Sequence, residues 1–96
     1  MTKEQTIVSL KKLNVEVRSK FKAEIKGIFG SYARDEAEQN SDIDVLVEFF
    51  TGATLLDLTG LGHFLEKNLG CKVDLVSQRA IRKEVKPYIE RDLIYL

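Results

Sequence analysis

An α/β or α+β fold is what this sequence predicts: helical segments alternate with three short strands along 96 residues. Two observations carry that reading. Apolar residues recur at three-to-four spacing in two separate stretches, and β-branched residues alternate with acids in a third. The length fits one domain, 1–96, with a single core and no repeat or linker.

The first helix is read from Glu4 to about Lys22, where Ile7, Leu10, Leu13, Val17 and Phe21 recur among Lys, Glu and Ser. Val15 and Val17 disturb the pattern, which predicts a break near Asn14. Ala23 to Phe29 is read as a strand stopped by Gly30. Ser31 to Ala37 reads as one or two helical turns capped by Ser31, and Glu38 to Ser41 as a polar turn. Asp42 to Phe50 is the clearest strand, with Ile43, Val45 and Val47 on one face and Asp42, Asp44, Leu46 and Glu48 on the other. Thr54-Leu55-Leu56-Asp57 looks like a capping box for a helix striped by Leu58, Leu61, Leu65 and Leu69 and stopped by Gly70; Gly60 and Gly62 inside it suggest close packing. Lys72 to Val76 reads as a third strand, and Gln78 to Leu96 as helix divided by Pro87.

Composition excludes several function classes. Fifteen basic and fifteen acidic residues cancel, which argues against a dedicated nucleic-acid binder, whose affinity rests on phosphate neutralisation. The basic clusters near both ends read as solvated helix faces. No apolar run approaches the roughly 20 residues of a membrane span, and Met1-Thr2-Lys3-Glu4-Gln5 lacks a signal peptide's apolar stretch. A cytoplasmic protein without a membrane role is expected. Cys71 has no disulfide partner and reads as a small core residue, and His63 as a structural or exposed helix position.

The chemistry concentrates in Gly30-Ser31-Tyr32-Ala33-Arg34-Asp35-Glu36 and Ser41-Asp42-Ile43-Asp44. Residues two apart on a strand share a face, so Asp42 and Asp44 stand side by side at a strand start. Two close carboxylates repel, and a bound dication reverses that penalty. Two carboxylates plus substrate phosphates suit Mg²⁺. Gly30 lets backbone approach a ligand closely, the helix start offers free amides to an anion, and the Ser31 hydroxyl adds a hydrogen bond. Asp74, an acid within the apolar Lys72–Val76 strand, is the candidate third carboxylate. A phosphate cradle followed by a carboxylate pair is equipment for in-line attack at phosphorus.

These residues, Gly30-Ser31-Tyr32-Ala33-Arg34 with Ser41-Asp42-Ile43-Asp44, resemble the signature of the DNA polymerase β-like nucleotidyltransferases, and more closely their small prokaryotic minimal nucleotidyltransferases (MNT). The resemblance covers nearly the whole chain, including Val73-Asp74-Leu75-Val76 and the segment from Lys86 to Leu96. It implies a small mixed β-sheet backed by helices. It implies Asp42, Asp44 and Asp74 as catalytic, metal-binding acids for Mg²⁺, two ions in all, with Asp74 helping to activate an acceptor hydroxyl. Gly30, Ser31, Arg34 and Ser41 become the nucleotide-binding residues, with ATP as the substrate. Asp35 stands where the family usually has Gly, which puts the loop geometry in question. The resemblance further implies an antitoxin that transfers AMP to a tyrosine hydroxyl of a HEPN-domain toxin. Two other readings stand beside it: a catalytically weak antitoxin acting by binding alone, and a subunit that modifies a small molecule.

Overall fold

The computed structural model describes all 96 residues. Helix α1, Lys3–Phe21, leads into strand β1, Ala23–Phe29, and the one-turn helix α2, Gly30–Ala33. Strand β2, Ile43–Phe49, helix α3, Leu55–Leu69, and strand β3, Val73–Ser77, follow. A 3₁₀ turn, Gln78–Ala80, precedes helix α4, Lys86–Asp92, and strand β4, Ile94–Tyr95. The mixed four-stranded sheet has the order β3-β2-β1-β4. β1 runs antiparallel to β2 and β4, and β2 runs parallel to β3. This is the helix-backed mixed sheet that the resemblance implies.

Helices α1 and α3 cover one face. Their Leu10, Val17, Leu61 and Leu65 are fully buried against Ile43, Val45 and Val47 of β2. At Gly60 the helix comes so close to Phe21 that an added Cβ would lie 3.0 Å from its ring. Thr54 and Asp57 form the expected capping box, and Thr2 with Gln5 forms another that starts α1.

Helix α1 does not break at Asn14. The residue stays helical because its side chain is needed on the inner face, where it meets an irregularity in β1. Between Ile25 and Gly27 the register with β2 shifts, so that Ile25 and Ile28, three apart, both reach the core. The Ile25 amide donates to Asn14 Oδ1 at 2.9 Å, and Asn14 Nδ2 donates to the Ile25 carbonyl at 3.2 Å. Asn14→Ala would leave both groups unpaired beside the core. A loss of about 2–3 kcal/mol in urea unfolding is expected, with Asn14→Asp intermediate because it keeps the acceptor. A loss below about 0.5 kcal/mol would contradict this role.

The C-terminal segment departs most from expectation. Pro87 does not divide a helix; it lies in the first turn of α4, where its missing N–H costs nothing. Ile94 and Tyr95 form a strand on the free edge of β1. Gly27 makes room for them, since a Cβ there would overlap the Ile94 carbonyl oxygen. Ser31 is not a cap either. Gly30 takes φ +74, so the turn begins one residue earlier with extended Phe29 at its cap position and no side-chain cap bond.

Candidate active site

The site lies where β1 ends and β2 and β3 begin. Phe29, the last residue of β1, is the register partner of Asp44, and Asp44 is the partner of Asp74 across the parallel pair. Three chain segments thus meet at one carboxylate: the Gly30 turn, β2 and β3. Asp42 immediately precedes β2 and is exposed. Asp42, Asp44, Asp74 and Gly30 lie at this one end of the sheet, with Gly30 against Asp44 and both other acids near enough for their charges to act on it.

Gly30 is fitted against Asp44. A Cβ on Gly30 would overlap Asp44 Oδ2, and its φ of +74 disfavours any side chain independently. The backbone of the turn and the carboxylate are therefore packed as one unit.

Asp44 is half-buried and carries its negative charge at a cost. Burial first, then the charges of Asp74 and Asp42, push its carboxyl up to about 6, with Arg34 opposing. None of the three acids takes part in any of the molecule's eight ion pairs. No three acidic, cysteine or histidine side chains converge on one point, so a complete protein cage for an ion is not preformed. An uncompensated group of hard oxygen donors fits Mg²⁺, which takes one or two carboxylates and completes its shell with water and phosphate oxygens.

Asp74 is not enclosed in an apolar interior. Its strand is the sheet edge and its side chain is exposed, so its position costs little by burial. What marks it out is the register that sets it opposite Asp44.

A family model described as "Nucleotidyltransferase domain" matches residues 10–96. The chain belongs to this nucleotidyltransferase family. The nucleotidyltransferase is 42% identical over 88 residues to a Methanocaldococcus jannaschii protein provisionally named a protein adenylyltransferase, spanning 91% of this chain and 90% of that one. It is 37% identical over 81 residues to the protein adenylyltransferase MntA of Thermococcus cleftensis, spanning 84% and 82%. A solved structure provisionally described as a minimal nucleotidyltransferase superposes with a TM-score of 0.83 at 35% identity, covering 100% of this chain and 97% of that one. The fold also recurs, with a TM-score of 0.64 at 20% identity over 92% of this chain and 68% of that one, in a complex of a tri-AMPylated Shewanella oneidensis HEPN toxin with its MNT antitoxin.

In this nucleotidyltransferase the Arg34 guanidinium is engaged by two carboxylates. Its Nη1 donates to Asp92 Oδ2 at 2.7 Å and its Nε to Glu36 Oε1 at 2.9 Å. Ser41 braces the preceding turn, its hydroxyl oxygen accepting from the Glu38 amide at 2.8 Å; its own proton stays available to a ligand. Asp35 adopts φ +58, a left-handed conformation that glycine takes most readily and Asp tolerates better than most residues. Its Oδ1 also accepts from the Lys3 amide at 3.3 Å, at the start of α1.

Two further residues support the site. Glu66 of α3 accepts from the Val73 amide at 3.1 Å, securing the outward edge of β3 one residue before Asp74. Asp92 holds Arg34. Neither could be found from spacing, because each acts across a tertiary contact. Burial raises the Cys71 thiol, which keeps it from being a reactive thiolate, and His63 is exposed on α3.

Proposed function

We propose that this nucleotidyltransferase transfers AMP from ATP to a hydroxyl, a tyrosine hydroxyl by preference, of a HEPN-domain partner protein and so acts as its antitoxin. The observation that carries the reading is the register pairing of Asp44 with Asp74, beside a glycine turn packed on Asp44. The naming of relatives at 37–42% identity as protein adenylyltransferases supports the choice of AMP and of a protein acceptor. The complex of an MNT antitoxin with an AMPylated HEPN toxin supports the choice of partner.

Each residue has a definite task. The Gly30–Ser31 turn receives the triphosphate tail: the first amides of a helical turn have no carbonyl four residues back and face an anion. The Ser31 and Ser41 hydroxyls donate to phosphate oxygens. Asp42 and Asp44 would hold Mg²⁺, with Asp74 near it, and the ion would offset phosphate charge as pyrophosphate departs. Asp74, exposed on the edge strand, accepts the proton of the incoming hydroxyl. The acceptor oxygen bonds to the α-phosphorus, the bond from that phosphorus to the bridging oxygen breaks, and pyrophosphate leaves with its electron pair. The open position of Asp74 suits an acceptor carried in on another protein.

The test uses α-phosphate-labelled ATP, Mg²⁺ and a purified HEPN-domain partner, with the folded Asp42→Asn, Asp44→Asn variant as control. A labelled partner band that requires Mg²⁺ and is absent with the variant is expected. Equal labelling by the variant would remove these aspartates from the chemistry. Label appearing only in small metabolites of a host extract would move the acceptor to a small molecule.

A further inference from the structure

We propose that Asp92 is a positioning residue for the nucleotide-binding turn, acting through Arg34. The inference rests on the assignment of Gly30–Ser31 to the phosphates and says what holds that turn in place.

Helix α2 is a single turn, and a single turn is not self-supporting: it fixes several backbone angles for one hydrogen bond. It has no side-chain cap at its start. Its closing bonds, from the amides of Arg34, Asp35 and Glu36 to the carbonyls of Gly30, Tyr32 and Ser31, are all local. Gly30 on Asp44 and the buried Tyr32 and Ala33 seat the turn itself on the core, but Arg34, Asp35 and Glu36, which close it, are exposed and have only side-chain bonds to tie them to the rest of the molecule. Of the side-chain bonds made by Arg34 and Asp35, two reach distant segments. One is the exposed 3.3 Å contact from Asp35 to the Lys3 amide; the other is the 2.7 Å ion pair from Arg34 to Asp92.

The two carboxylates on Arg34 are unequal. Glu36 lies two residues away and its side chain is 64% exposed, so it moves with the loop and is well screened. Asp92 is 58 residues away in sequence and its side chain is only 15% exposed. It ends α4, which is anchored by buried Ile89 and continues into β4 on the edge of β1. Asp92 is therefore fixed to the body of the molecule, and the charge-assisted bond transmits that fixity to the turn. With Nε and Nη1 engaged, Arg34 serves the nucleotide by locating the cradle, and its charge still acts on Asp44 from that place.

Amide hydrogen exchange on the nucleotide-free protein reads the effect directly. In Asp92→Ala, and in the isosteric Asp92→Asn, exchange at the Arg34, Asp35 and Glu36 amides is expected to quicken by about ten-fold, while the core strand amides of Ile25 and Val45 keep their rates. Unchanged rates at the turn would overturn the proposal. Steady-state kinetics give the second readout. Asp92→Ala and Arg34→Ala should each raise the KM for ATP by about ten-fold with kcat nearly unchanged, and the double variant should be no worse than either. If Arg34→Ala loses far more than Asp92→Ala, Arg34 is a direct phosphate ligand and the proposal fails. A merely structural Asp92 would lower Tm and leave KM unmoved, which also rejects it. Should the wild type show no turnover of ATP, the proposed function fails, and the exchange rates still decide the role of Asp92.

Discussion

Asp44→Asn is expected to remove about 10³-fold of the transfer activity and to make the metal-free protein more stable at neutral pH. The loss follows from taking away a carboxylate that lies between the glycine turn and Asp74. The gain follows from the position of its titration. Burial, Asp74 and Asp42 raise the Asp44 carboxyl from 3.8 to about 6, so the folded protein holds this proton more tightly than the unfolded chain. Folding is accordingly helped by Asp44 below about pH 4, and that help is lost as pH rises through 6. The full linkage would be about 3 kcal/mol; with the carboxylate partly open to solvent, screening reduces it to on the order of 1 kcal/mol. Thermal melts in EDTA should place Asp44→Asn several degrees above wild type at pH 7, and the gap should close near pH 4. A gap that ignores pH, or one of opposite sign at pH 7, would show that Asp44 is not held under strain.

Gly30→Ala should be nearly as damaging to activity for a different reason. The left-handed φ of +74 costs an alanine about 1–2 kcal/mol. The new methyl would also displace the Asp44 carboxylate, and a shift of about 1 Å at a reacting centre costs about 10²-fold in rate. Gly52→Ala separates the two effects. Gly52 has φ +93, yet a Cβ there meets nothing within 4 Å. It should lose a comparable amount of stability and keep full transfer. If Gly30→Ala behaves like Gly52→Ala in both assays, the packing of Gly30 on Asp44 has no bearing on catalysis.

The parts of this molecule written in local pattern were readable in advance. Ile43, Val45 and Val47 alternate because one face of β2 is core, and Thr54 with Asp57 announces α3 within four residues. The clustering of Gly30, Asp42 and Asp44 was legible too, since a short turn and a strand start leave little freedom. The misreadings occur where a distant partner decides. The disturbed stripe around Asn14 looked like a helix break, whereas Asn14 stays helical and makes both its hydrogen bonds to Ile25. Ile94 and Tyr95 looked helical because two residues are too few for a periodicity, and the vacant edge of β1 claimed them. Asp74 was singled out on a burial argument that its edge position removes, and its pairing with Asp44 depends on a parallel register invisible from either strand alone.

The order β3-β2-β1-β4 also has a consequence for how the protein emerges from the ribosome. Gly30 and Asp44 are made well before Asp92, the ion-pair partner of Arg34, and before the strand that pairs with the outer edge of β1. At roughly 5–20 residues per second, translation leaves the nascent chain several seconds in which Arg34 has no Asp92 to pair with. The loop after α2 is therefore complete in sequence well before it is complete in contacts.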